Sequence, residues 1–381
     1  MSLAIRAARG FDGASARLLE NVLVLVEDGR ITAVECGRTE TPPGSEVVDL
    51  GDVTLLPGLI DAHVHLGFDA SRDPVAQMRA DSDATLLLRM RLAARRALAA
   101  GITTVRDLGD RNYLGLALRD WFRQGDELGP EIIAAGPPIT ITGGHCYFMG
   151  GEVDGELELR RAVRSHVKAG VDVIKIMATG GHMTHGTNPG LPQFTVAEVR
   201  AGVEEAHRLG RTLTAHAHGP SGIAVAVEAG VDCVEHCSFR VDGTRKPDWE
   251  LISRIAAAGI AVSPTVGSPG PLTESFVPIL ARMHQQGVRI VASTDAGISP
   301  QRPHDALPHA VGFLAGCGMS NNEALAAATS VAAAVCGVGE RKGALQAGKD
   351  ADLLAVGGNP LADIRALLDV RAVFRHGMRL T

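Results

Sequence analysis

His63-Val64-His65 closes an apolar run that begins at Leu55. In an extended strand, residues two apart face the same side, so both imidazoles can point at one ion. Alone, such a pair is as readily an ordinary surface feature. Three further residues argue otherwise. His216 ends the run Leu213-Thr-Ala-His, His236 ends Cys233-Val-Glu-His, and Asp295 follows the run Val288 to Ser293. Four imidazoles and a carboxylate crowded together need a compensating charge, and a metal supplies it. Lys175 is the odd member, inside the apolar Val173-Ile-Lys-Ile-Met. A strand lysine ordinarily reaches out to solvent. Facing inward, an amine that titrates near ~10.4 would be a cation among cations. Such a lysine makes sense only if it is paired or converted to an anion.

The elements around these residues repeat one pattern. Apolar runs at Leu55 to Ala62, Thr103 to Leu108, Glu131 to Gly136, Val171 to Ala178, Leu213 to His216, Cys233 to His236, Ile260 to Val266 and Val288 to Ser293 read as strands. Each precedes a helical stretch: Ala84 to Ala100, Leu114 to Leu128, Glu156 to Ala169, Val196 to Leu209, Ser221 to Ala229, Trp249 to Ala258, Glu274 to Gln286 and Asn321 to Cys336. Eight strand–helix units imply an α/β protein built on a closed (β/α)8 TIM barrel. Its chemistry would lie at the C-terminal ends of the strands, where the five residues above fall. The two chain ends read differently. Asn21 to Val26 and Ile31 to Val34 flank an Asp-Gly turn, which is a hairpin signal. Ala351 to Val356 and Val370 to Phe374 look similar. We expect residues 1–57 and 343–381 to meet as a small β-sandwich domain, with 58–342 forming the barrel.

Longer stretches carry a resemblance. Pro57-Gly-Leu-Ile-Asp-Ala-His-Val-His-Leu, Gly101-Ile-Thr-Thr-Val-Arg-Asp-Leu-Gly and Ser293-Thr-Asp-Ala-Gly resemble the amidohydrolase superfamily. Ile174-Lys-Ile-Met-Ala-Thr-Gly-Gly, Ala215-His-Ala-His-Gly and Val234-Glu-His-Cys-Ser-Phe are similar to its imidazolonepropionase-like and prolidase-like branch, which includes dipeptidases and carboxypeptidases. The resemblance spans nearly the whole chain. It implies two divalent cations, zinc by first choice. His63 and His65 would bind the more buried one, and His216 and His236 the other. Carbon dioxide would carboxylate Lys175, whose carbamate would bridge both ions. Asp295 would bind the first ion and shuttle the proton. His218 stands at strand spacing from His216 and competes with it as a ligand; the family position favours His216.

Weaker candidates surround these. His145, in Ile141-Thr-Gly-Gly-His, would polarise the substrate carbonyl or contact its carboxylate, or else be a loop histidine bonded to backbone. His182 and His185 line a pocket or are merely exposed. Arg240 would hold a substrate carboxylate through its planar fork, or form a surface ion pair. Tyr147 and Gln193 are further substrate-contact candidates. Asp107 and Arg106 read as structural support.

Composition limits the alternatives. A formal charge of −6 with mixed signs disfavours nucleic-acid binding. No apolar run approaches ~18 residues, and no basic-then-apolar leader opens the chain. Six cysteines without a CxxC suit free thiols in the cytoplasm. No GxSxG, P-loop or dinucleotide glycine motif is present. The expectation is therefore a cytoplasmic, homo-oligomeric hydrolase with a binuclear centre that cleaves an amide bond of a small molecule. A dipeptide or N-acyl amino acid is the first choice. A cyclic amide or imidazolone, or a xenobiotic amide, carbamate or urea, is the second. A non-catalytic metal-binding protein is the reading from another class.

Overall fold

The apolar run Leu55 to Ala62 is two strands. Val53–Pro57 belongs to one sheet and Leu59–Val64 to another. The break falls at Gly58, where a Cβ would lie 2.2 Å from the Thr103 hydroxyl oxygen. The computed structural model describes residues 2–37, 40–125, 127–267 and 274–380. The terminal residues 1 and 381 of the expected β-domain lie outside the described residues.

Both chain ends enter one hydrogen-bonded sheet. Its order runs Met378–Arg379, Val370–Arg375, Leu353–Gly357, Val53–Pro57, Ser2–Gly10, Leu19–Glu27 and Arg30–Cys36, with Glu46–Asp49 pairing alongside Ser2–Gly10. Ile5, Val24, Leu55, Leu353 and Phe374 form the apolar cluster on it. The Asp28-Gly29 turn falls in the hairpin between Leu19–Glu27 and Arg30–Cys36, and both residues have positive φ, as a tight hairpin requires.

The middle of the chain supplies parallel strands in sequence order. Leu59–Val64, Ile102–Asp107 and Glu131–Ala134 pair in parallel, the first two with register shifts between Leu59 and Ile60 and between Asp61 and Val64. A parallel bridge from Ile139 to Ile176 leads on to Ile174–Met177, Leu213–Ala217, Cys233–His236, Ala261–Ser263 and Arg289–Ile290. A second bridge, Val64 to Ala296, joins the far end to the first strand. This is a TIM-barrel-type order of mixed α/β content. The first six strands are buried almost throughout, so they read as largely apolar runs whose few charged or imidazole residues need partners.

The helices depart from expectation at three places. The stretch Asn321 to Cys336 is two helices, Asn321–Ala327 and Ser330–Val335. Thr329 breaks them at φ −129° and ψ −96°, and its hydroxyl donates to the Leu325 carbonyl at 2.8 Å. Pro74–Ala80 and Leu307–Gly316 are additional helices, each opened by a proline in its first turn, where the missing N–H costs nothing. All six cysteines are unpaired. Among the described residues, no helix is long and apolar enough to cross a membrane.

Where the terminal sheet meets the parallel strands, a buried ionic cluster forms. Lys342 pairs with Asp352, with Glu131 at 3.1 Å and with Asp350 at 3.3 Å. Arg375 holds Asp352 at 2.8 Å, and Arg341 holds Glu131 and Asp350 at 2.6 Å each. Glu131 opens its strand, so the cluster sits at the strand starts, away from the tips that carry the histidines.

Candidate metal centre

The six side chains singled out by the sequence converge on one cavity of about 160 Å³. His63 and His65 project together from the end of Leu59–Val64, with their Nε2 atoms 3.3 Å apart. Asp295 Oδ1 lies 3.4 Å from each of those atoms. His216, His218 and His236 form a second group, whose ligand atoms all lie within 4.8 Å of one another. The groups adjoin: the His63 and His236 rings are 5.2 Å apart.

Backbone conformation brings two consecutive residues into the site. Strand alternation would send one of Glu235 and His236 outward. Instead His236 takes a φ of 66°, in the left-handed region, and both face the centre. Asp295 follows Arg289–Ile290 with a φ of 58°, and Thr265 has 51°. Each such non-glycine residue costs roughly 1–3 kcal/mol, which the surrounding packing must offset.

A ring of acceptors and hydroxyls orients the imidazoles. His63 Nδ1 donates to Glu235 at 2.7 Å, which leaves Nε2 with its lone pair toward the cavity. Glu235 also accepts from Arg106 at 2.9 Å and from the Thr214 hydroxyl. His65 Nδ1 donates to the Gly109 carbonyl at 3.2 Å. His236 Nδ1 meets the Thr265 hydroxyl at 2.7 Å, and His218 Nδ1 meets the Ser238 hydroxyl at 2.8 Å. His216 Nε2 donates to the Gly180 carbonyl at 3.1 Å, so Nδ1 is its free ligand atom.

These contacts set the charges. Burial, reinforced by Lys175, pushes His63 down to about 4. Burial likewise holds His216, His218 and His236 well below the usual imidazole range, so they are neutral imidazoles at pH 7. Burial alone would raise Asp295, but His63, His65 and Arg302 outweigh it and keep the carboxylate ionised. Lys175 is 1% exposed, and burial lowers its pKa. Among the described residues, its ammonium makes no hydrogen bond or ion pair, and the nearby Glu235 and Asp295 charges only partly offset its burial. Neutral imidazoles, an ionised carboxylate and an unpaired buried amine form a donor set that fits cations and is otherwise costly to bury.

The remaining sequence candidates divide. His145 is buried at the cavity wall, its ring 4.7 Å from that of His216 and its Nδ1 3.0 Å from the Thr184 hydroxyl. His182 and Arg240 also line the cavity. Tyr147 and His185 do not; they line an adjoining cavity. Gln193 is outside both linings. Its amide accepts from the His145 backbone at 2.6 Å and donates to Thr140 and to the Met177 carbonyl. It therefore braces the His145 loop. Glu235 and Arg302 escaped the sequence reading; Arg106, expected as structural support, donates to Glu235 at 2.9 Å and to the Ala62 carbonyl at 2.7 Å. Glu235 and Arg106 carried a signal, since charges inside apolar strands must pair, but the partners could not be named. Arg302, which holds Asp295 Oδ2 at 3.1 Å, lies on a loop without any such signal.

Comparison with known proteins places this geometry. Residues 54–380 match the amidohydrolase family. The chain is 31% identical over 364 residues to ochratoxinase of Aspergillus niger, covering 84% of this chain and 73% of that protein. It is 28% identical to an imidazolonepropionase of Symbiobacterium thermophilum, covering 91% and 86%. Among solved structures, a Xaa-Pro dipeptidase with bound methionine superposes with a TM-score of 0.89 at 29% identity, covering all of both chains. The chain belongs to the amidohydrolase family and is an enzyme that hydrolyses carbon–nitrogen bonds.

Proposed function

We propose that the chain is a binuclear metal hydrolase that cleaves the amide bond of a dipeptide or N-acyl amino acid, releasing its C-terminal residue. His63, His65, His216, His236 and Asp295 would hold two divalent cations, zinc by first choice, with a carboxylated Lys175 between them. In this reading residues 58–342 are a closed barrel, and 1–57 with 343–381 are a separate sandwich domain.

The observation that carries the proposal is Lys175. A buried, unpaired ammonium beside two histidine groups is unfavourable as it stands. Lowered basicity makes the neutral amine available, and its nitrogen can add carbon dioxide, losing a proton to give an anionic carbamate. That anion suits a place between two cations. Divalent cations held here would supply ionised water at neutral pH and polarise the scissile carbonyl. Asp295 would take the proton from the attacking water and deliver it to the leaving nitrogen. His145 would donate to the carbonyl oxygen, and Arg240 would receive the substrate carboxylate. Support for the substrate class comes from the similarity to the Xaa-Pro dipeptidase across the full chain. Ring opening of a cyclic amide is the second reading, favoured by the likeness to imidazolonepropionase.

The test is reconstitution. Metal is stripped by chelator and dialysis, then zinc is restored with or without bicarbonate, and a panel of dipeptides, N-acyl amino acids and cyclic amides is assayed. Activity returning only with zinc, and faster with bicarbonate, is expected. Activity that never depended on metal eliminates the proposal.

A further inference from the structure

Three guanidiniums line the histidine cavity, those of Arg240, Arg245 and Arg302, whereas its one carboxylate among the described residues is Asp295. Arg302 holds that carboxylate at 3.1 Å. Arg240 and Arg245 stand against each other instead. They are direct partners across the short antiparallel ladder of Arg240–Val241 with Thr244–Arg245, just after the strand Cys233–His236. Like charges directly opposite on such a ladder destabilise it. Burial and the Arg240 charge together bring the Arg245 pKa down to about 10.

The opposed pair is held in place. Arg245 Nη1 donates to the Ser238 carbonyl at 2.8 Å and Nε to the Ser275 hydroxyl at 3.0 Å. Its Cζ lies 4.2 Å from the centre of the Phe276 ring. Ser238 and Phe276 are themselves buried, so this guanidinium is oriented before any ligand arrives. The Arg240 N–H donates to the His218 carbonyl at 3.0 Å, which ties the hairpin to the histidine group. Among the described residues the Arg240 guanidinium has no hydrogen-bond or ion-pair partner. Positive charge fixed in this way beside a cavity is offset when an anion enters.

We infer that the hairpin of residues 240–245 selects a leaving amino acid with two carboxylates, so that the preferred substrates are N-acyl or aminoacyl derivatives of glutamate and aspartate. The inference rests on the amide-hydrolase reading of the site and extends it from one substrate carboxylate to two. The α-carboxylate goes to Arg240, and the side-chain carboxylate goes to Arg245, whose planar fork suits it. A neutral side chain leaves the two like charges opposed. A cationic side chain sets a third positive charge beside them.

The experiment compares kcat/KM of the zinc-loaded enzyme for the N-acetyl derivatives of glutamate, its isostere glutamine, and lysine. Calorimetry measures the binding of free glutamate and glutamine, which needs no turnover. Expected is a preference for N-acetylglutamate over N-acetylglutamine of about tenfold to a hundredfold, the weight of one charge-assisted hydrogen bond, with N-acetyllysine poorest. Free glutamate should bind more tightly than glutamine, and both margins should shrink as salt is added. Arg245→Gln should bring glutamate and glutamine level. Arg245→Glu should put lysine ahead of glutamate, an inversion that misfolding does not produce, and zinc content checks the fold of both variants. Equal turnover and equal binding of the glutamate and glutamine compounds, or a margin that Arg245→Gln leaves untouched, overturns the two-carboxylate inference while the amide-hydrolase reading stands. Failure of the zinc-loaded enzyme on every N-acyl amino acid and dipeptide overturns that reading and the inference with it.

Discussion

Glu235 accepts from His63 Nδ1 at 2.7 Å, although the two residues stand 172 positions apart and neither is more than 1% exposed. The carboxylate fixes which nitrogen of His63 carries the proton, and so which one faces a cation. Burial alone would raise the Glu235 pKa; Arg106 and His63 outweigh it and hold it well below the usual range. Glu235→Gln keeps the shape and removes the charge. Metal affinity is expected to fall by roughly 10–100-fold, measured by chelator competition. Unchanged affinity would mean that His63 is oriented by its packing alone.

Asp295→Asn tests proton transfer. The amide oxygen can still ligate a cation, but the side chain can no longer carry the proton. Turnover should drop by about 10²–10⁴-fold with zinc content largely kept. A parallel loss of zinc and activity would make Asp295 a ligand without a proton-carrying role.

Lys175→Met separates stability from activity. It removes an unpaired buried ammonium, so the metal-free chain should gain about 1–3 kcal/mol in denaturant unfolding. Zinc per chain and hydrolysis should both fall. In the unsubstituted enzyme, ¹³C-bicarbonate should yield a carbamate signal that the variant lacks. A destabilised variant would show that the ammonium has a favourable partner after all.

The ionic cluster under the terminal sheet predicts an acid limit to stability. Burial would raise Glu131 and Asp352; for Glu131, Lys342, Arg341 and Arg375 outweigh it, and for Asp352, Lys342 and Arg375 do, leaving both at about 2. Carboxylates depressed in the folded state stabilise it above their unfolded pKa near ~4, and that contribution disappears as pH falls toward about 2. Thermal unfolding should therefore show a melting temperature that drops between about pH 4 and 2. Asp352→Asn should lower stability at pH 7 and flatten that drop. An unflattened drop would assign acid lability elsewhere.

Several strand tips were legible because an apolar run ends there with a histidine or aspartate, and six of the parallel strands are buried almost throughout. His63, His65, His216 and Lys175 obey the alternation of a strand, so their convergence could be reasoned from spacing. His236 does not: its left-handed backbone puts it beside Glu235, and no local pattern announces that turn. The helix break at Thr329 depends on tertiary contact, since its hydroxyl lies 3.3 Å from the Gly13 carbonyl, 316 positions away. Gln193 was read as a substrate contact because a polar residue on a pocket loop has no visible partner in sequence; its three partners come from two other segments.

Gly58 has a reach well beyond its size. A methyl group there would collide with the Thr103 side chain on the adjacent strand, and His63 stands only five residues downstream. The elbow thus works as a spacer that sets how far the first pair of imidazoles extends past the strand end. Lengthening or bulking it would displace both rings together and disturb the histidine cluster without altering any of its side chains. Inherited or engineered changes at this quiet position would masquerade as active-site lesions.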